Sequence, residues 1–116
     1  MAPNVPEGMD PESFQKLLDM YQKEFPEKIE TMKRAFEKLK EPFDVKELEK
    51  IRFVIHKLAG NAAMFGYPSI TELCKKWDSQ LTPMIKESNL HLEADFLKEL
   101  EQCIQQIEKE FQSGPR

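Results

Sequence analysis

From Asp10 to Phe111 the apolar residues recur at intervals of three and four, the period of helices that bury one face. Asp10-Pro11-Glu12-Ser13 reads as a helix start, with Asp as N-cap, Pro in the first helical position and Glu in the first turn. The stripe Phe14, Leu17, Leu18, Tyr21 follows. Pro26 is expected to stop or sharply kink this helix near Phe25, because proline lacks the N–H and crowds the preceding turn. A second helix then carries Ile29, Met32, Phe36 and Leu39 and ends around Glu41-Pro42. Asp44 caps a third, which runs to Gly66 as a C-terminal glycine. Pro68-Ser69 opens a fourth, with Ile70, Leu73, Trp77, Leu81 and Met84 as its inner face. After the connection Ser88-Asn89-Leu90-His91, the last helix buries Phe96, Leu100, Cys103, Ile107 and Phe111. Trp77 and the methionines read as core, and His91 as an ordinary loop residue. No stretch alternates with the period of a strand. The short links predict an all-α fold, an antiparallel up-and-down four-helix bundle with an additional N-terminal helix. It would occupy residues 10–112, between a flexible leader (1–9) and a frayed C-terminus (113–116).

The third helix contains one departure from pattern. Leu48, Ile51, Ile55, Leu58, Ala62 and Phe65 are spaced 3, 4, 3, 4 and 3 apart and form its buried seam. His56 points roughly 130° away from that seam, and Gly60 and Ala63 lie nearly on its line. A solvent-facing stripe normally carries Glu, Lys or Gln, and glycine within a helix costs about 0.5–1 kcal/mol relative to alanine. Small residues beside an exposed imidazole look like clearance for something that approaches it closely. The competing reading is a close helix–helix contact through Gly60 and Ala63, which would bury His56. Phe53 projects to nearly the same side as Gly60, either as an exposed apolar contact or tucked under a neighbouring helix.

Composition narrows the field. With 40% hydrophobic and 33% charged residues, the 116-residue chain suits one globular domain and not a disordered segment. No apolar stretch approaches the ~20 residues of a membrane span. Met1-Ala2-Pro3-Asn4-Val5-Pro6 lacks the basic and apolar regions of a signal peptide, so a cytoplasmic location is expected. Cys74 and Cys103 stand far apart on apolar stripes and read as two reduced, buried thiols. The net charge of −4 argues against nucleic-acid binding. Locally, however, the His56 helix carries Lys46, Lys50, Arg52 and Lys57 against Glu47 and Glu49. That run is either a solvated face or a positive patch that attracts an acidic partner. The chain offers no Gly-rich phosphate loop, Ser/His/Asp set or metal-ligand cluster.

The run His56-Lys57-Leu58-Ala59-Gly60-Asn61-Ala62-Ala63-Met64-Phe65-Gly66 resembles the signature of histidine phosphotransfer (HPt) domains, in which the His is followed by Gly at +4, small residues, and a second Gly at +10. Leu17 to Ile29, an apolar segment followed by Pro-Glu, is similar to the family's first segment, and Ser69 to Cys74 to its helix opening after the second Gly. The resemblance covers roughly residues 14–81. It departs where many members carry Lys three residues after the His, a position held here by Ala59.

What the resemblance implies is a phosphorelay intermediate. His56 would accept a phosphoryl group, through Nε2, and exchange it with the aspartate of a response-regulator receiver domain; a hybrid histidine kinase is the other implied partner. The chain would be a monomeric phosphocarrier without autonomous catalysis or cofactor, the receiver bringing its own Mg²⁺. Phe53, Gly60, Asn61 and Ala63 would dock or support the partner. Asp78 falls where members place a polar side chain near the His, and Lys57 or Arg52 would supply the charge missing at Ala59. The alternative is a binding module that keeps the same face but sequesters a receiver or kinase and moves no phosphate.

Overall fold

A computed structural model describes residues 5–39, 44–87 and 92–115. Among them the backbone is helical and contains no strand: α1 (Pro11–Leu39), α2 (Val45–Asn61), a 3₁₀ turn (Ala63–Phe65), α3 (Pro68–Lys86) and α4 (Ala94–Gln112). The expected helix end at Glu41-Pro42 and the connection from Ser88 to His91 lie outside the described residues. No helix among those described is long and apolar enough to cross a membrane.

The N-terminal helix begins as its residues dictate: Asp10 Oδ2 accepts from the Ser13 N–H at 3.0 Å. Pro26 does not end it. α1 continues unbroken through the proline for 29 residues, so the separate N-terminal helix expected from the sequence is absent and α1 takes in both predicted segments. The reason lies in where Pro26 points. It is exposed, while Phe25 and Ile29 on either side are buried. The ring therefore sits on the outer face of the helix and displaces nothing from the core, although the Gln22 carbonyl loses its helical donor. Packing of the buried face on both sides holds the line. Pro83 is likewise accommodated within α3, between the buried Leu81 and the half-buried Met84.

Asp44 caps α2 as expected, its Oδ1 accepting from the Lys46 N–H at 2.9 Å. The other end differs from expectation. The α-helix stops at Asn61 and tightens into the 3₁₀ turn before Gly66, whose φ of 94° and ψ of 17° are left-handed. Thr71 explains the tightening: its buried hydroxyl accepts from the Ala63 N–H at 2.7 Å and reaches the Leu58 carbonyl at 3.4 Å.

One core joins the elements. α1 packs on α2, α2 on α3, α3 on α4 and α4 on α1. Phe25, Met32, Leu48, Ile51, Ile55, Leu58, Ile70, Leu81, Leu100 and Ile107 are fully buried. At one end an aromatic cluster closes the core. Tyr21 stacks on Phe65 at 4.3 Å, Phe25 on Phe111 at 4.1 Å, and Tyr67 lies against both Tyr21 and Phe25. The Tyr21 hydroxyl donates to Asn61 Oδ1 at 3.2 Å and so ties α1 to the end of α2. Trp77 is buried, as are the free thiols Cys74 and Cys103. Three apolar residues expected in the core are instead exposed: Leu17, Met20 and Met64. Leu17 and Met20 flank the stripe that Leu18 and Tyr21 occupy. Met64 is turned out because Phe65 takes the inward position of the 3₁₀ turn.

Candidate functional site

His56 lies on the fourth turn of α2 with its side chain 61% exposed. The helix presents it outward because Ile55 and Leu58 hold the opposite face in the core. Asp78 approaches from α3, and its Oδ2 is 2.9 Å from His56 Nδ1. A carboxylate only accepts, so in the neutral ring the Nδ1 carries the proton and the free lone pair resides on Nε2.

Asp78 is itself held. Its side chain is only 22% exposed; its Oδ1 faces Arg52 Nη1 at 3.4 Å and Thr82 Oγ1 at 3.4 Å, and the Thr82 hydroxyl donates to its carbonyl at 2.8 Å. Arg52, one helical turn before His56, sits roughly 40° from the His56 line, on the side facing α3. Thr82, one turn after Asp78, completes the support from the other helix. Arg52, Asp78 and His56 thus form a connected polar row across the α2–α3 seam. Sequence reasoning misses Thr82. An i+4 hydroxyl beside a candidate acceptor is a signal, but a weak one, since threonines commonly bond back to their own helix.

Gly60 settles one alternative. A Cβ added there would meet no atom within 4 Å, Gly60 and Ala63 are both exposed, and the His56 side chain is open to solvent, so the pair does not bury His56. The surface beside the imidazole is low and open. Phe53 is 54% exposed and is not tucked under a neighbour. With Met64, Leu17 and Met20 it adds apolar area to the molecular surface.

The remaining candidates turn elsewhere. Lys57 projects to the α1 side of His56, its Nζ 4.5 Å from the centre of the Phe53 ring. Asn61 spends its side-chain oxygen on Tyr21. Lys50 pairs with the buried Glu47 at 3.1 Å. The basic run of α2 is therefore less open than its sequence implies, with Lys50 and Arg52 each beside a carboxylate. Among the described residues no group of three His, Cys, Asp or Glu could hold a metal ion.

An exposed imidazole with a fixed proton on one nitrogen, a lone pair on the other and no neighbouring bulk can accept an electrophilic group from a large partner. The hollows lined by Arg52 and Phe53, and by Phe53 and Lys57, do not have His56 in their walls.

The family model described as Hpt domain matches residues 16–110. No curated protein and no solved structure is matched by the chain. Hpt domains are phosphocarriers of two-component phosphorelays and interact with receiver domains and kinases. The match runs from α1 to the last turns of α4 and includes the whole His56 helix, and on it the chain belongs to the Hpt domain family.

Proposed function

We propose that this chain is a phosphorelay intermediate in which His56 Nε2 accepts a phosphoryl group from the aspartate of a response-regulator receiver domain and passes it on to another. The observation that carries this reading is the 2.9 Å contact between His56 Nδ1 and Asp78 on an otherwise open imidazole. Asp78 fixes the tautomer, so no proton has to leave the nitrogen that attacks. In the transfer the Nε2 lone pair forms the N–P bond while the P–O bond of the aspartyl phosphate breaks and its electron pair returns to the carboxylate. The Nδ1 proton stays between the ring and Asp78. The reverse step runs through the same atoms. The receiver contributes the aspartate and its Mg²⁺, and this chain contributes the nucleophile and the docking face. That face consists of Gly60 and Ala63 around His56, with Phe53, Met64, Leu17 and Met20 as apolar contacts, exposed without serving the core.

The reading includes an up-and-down bundle acting as a cytoplasmic monomer. Support for the antiparallel order comes from which residues meet. Tyr21 reaches Asn61 across α1 and α2, and Arg52 and His56 reach Asp78 in the middle of α3. Trp77 lies against Phe96 near the start of α4. Two free, buried thiols suit a reducing compartment.

The test is transfer itself. A receiver phosphorylated on its aspartate is mixed with the chain in Mg²⁺, and label is followed onto this protein and back onto unlabelled receiver. Reversible label on the chain is expected. Tight binding with no label would make it a sequestering module instead.

A further inference from the structure

Resting on the phosphotransfer reading, the arrangement of charge around His56 singles out one group to face the phosphoryl dianion once it is on Nε2. Position 59 carries no cation, being Ala59. Lys57 is drawn over the Phe53 ring on the α1 side, away from the row that contains Asp78. Arg52 remains. It is on the same helix as His56, one turn away, and the carboxylate it faces is the one that holds the imidazole. Its contact with Asp78 is long, at 3.4 Å, and runs to one carboxylate oxygen, short of the paired geometry a guanidinium can make, while its side chain is still in part open to solvent.

We propose that Arg52 is the phosphoryl-binding cation of this chain, and that Asp78 stores it beside the imidazole until the phosphoryl group arrives. In the resting state Asp78 divides its two oxygens, Oδ2 to Nδ1 and Oδ1 to Arg52 and Thr82. Phosphorylation introduces a doubly charged group with three acceptor oxygens about one helical turn from Arg52. The guanidinium fork then turns from a single carboxylate oxygen to the phosphoryl oxygens, a geometry it can meet with two parallel bonds. Asp78 keeps Nδ1, and Thr82 keeps Asp78 in place. No bond other than hydrogen bonds is exchanged, and no further reactant is needed. The consequence is a bias. A cation that meets the phosphoryl group only on His56 shifts the transfer equilibrium toward this chain and away from the receiver.

The experiment measures the equilibrium ratio of phosphorylated chain to phosphorylated receiver, with the half-life of the isolated phosphohistidine, for the native protein and for Arg52→Gln, Arg52→Lys and Lys57→Ala. Arg52→Gln keeps a hydrogen-bond donor for Asp78 and removes the charge. It is expected to shift the ratio toward the receiver by about two- to fivefold, the worth of an exposed ion pair, and to shorten the half-life. Arg52→Lys restores most of both, and Lys57→Ala changes neither. The native ratio should fall as salt rises, and the Arg52→Gln ratio should respond less. If Arg52→Gln equals the native protein, or if Lys57→Ala produces the shift instead, the assignment of Arg52 is overturned although His56 carries phosphate. If the native protein takes up no phosphate on His56, the phosphotransfer reading itself fails, which is a separate and visible result.

Discussion

At the scale of single residues, the site depends on what is absent as much as on what is present. Gly60 leaves open space beside His56: a side chain starting there would meet no atom within 4 Å of its Cβ. Gly60→Glu should therefore leave the fold intact and slightly favour the helix. It also sets a long anionic side chain one turn from the imidazole on the same face. Transfer from a receiver should fall at least tenfold while the melting temperature stays level or rises. Unchanged transfer would remove Gly60 from the docking face. The same scale shows how far the sequence speaks. His56, Gly60 and Ala63 are legible from helical angles alone, because glycine on a solvent face costs helix stability and returns nothing unless something needs the space. The contact of Asp78 with His56 is not legible in that way. It crosses between helices, 22 residues along the chain, and depends on a packing that periodicity does not specify. The sequence offers both Lys57 and Arg52, at roughly 100° and 40° from the His56 line, and does not decide between them. What separates them is which neighbouring helix each faces, α1 or α3.

At the scale of elements, Pro26 shows a local rule overruled by tertiary packing. The rule that proline ends a helix assumes that the freed carbonyl has nowhere to turn and that nothing holds the two halves in line. Here Pro26 itself is exposed, next to the half-buried Gln22 whose carbonyl it frees, and Phe25, Ile29 and Met32 keep the helix seated on the core. The intrinsic cost remains. Pro26→Ala should restore a hydrogen bond to Gln22 and raise stability by up to about 3 kcal/mol. Urea unfolding of the two proteins would measure it, and a destabilised Pro26→Ala would mean that the proline shapes α1 in a way its neighbours need. The buried faces of the helices are otherwise legible, since their seams recur every three or four residues. The turn after Asn61 is not. Its geometry is set by the hydroxyl of Thr71, which comes from the next helix.

At the scale of the whole molecule, α1, α2, α3 and α4 close one core that hides two thiols and two phenols. Burial pushes the Cys103 thiol up to about 12. It also raises Cys74 from its ordinary 9.0, with smaller contributions from Cys103 and Asp78. Burial raises the Tyr21 phenol as well, helped by the nearby Cys74 and Tyr67. A raised pKa in an acid means that the folded state favours the neutral form. The contribution to stability is complete below the unfolded thiol value of 9.0. Above it the unfolded chain binds fewer protons than the folded one, so stability declines as pH rises toward the folded values. Urea midpoints should be level near about pH 8 and fall steadily by about pH 11. The double variant Cys74→Ala/Cys103→Ala should start lower and decline less steeply. A flat native profile across that window would mean that the thiols are not shielded in solution.

That core keeps a 17-residue helix rigid enough to hold one imidazole in one tautomer on an open surface. Everything proposed for the chain's function then turns on Nε2 of His56 carrying the phosphoryl group. The most direct test is to phosphorylate the native chain and His56→Gln with the same phosphorylated receiver and to map the product by fragmentation mass spectrometry and ³¹P NMR. Acid-labile, base-stable phosphate is expected on Nε2 of His56 in the native chain. In His56→Gln, whose stability should lie within about 0.5 kcal/mol of native, there should be none. Phosphate retained by His56→Gln, or found on His91 or on Nδ1 of His56 in the native chain, would contradict it.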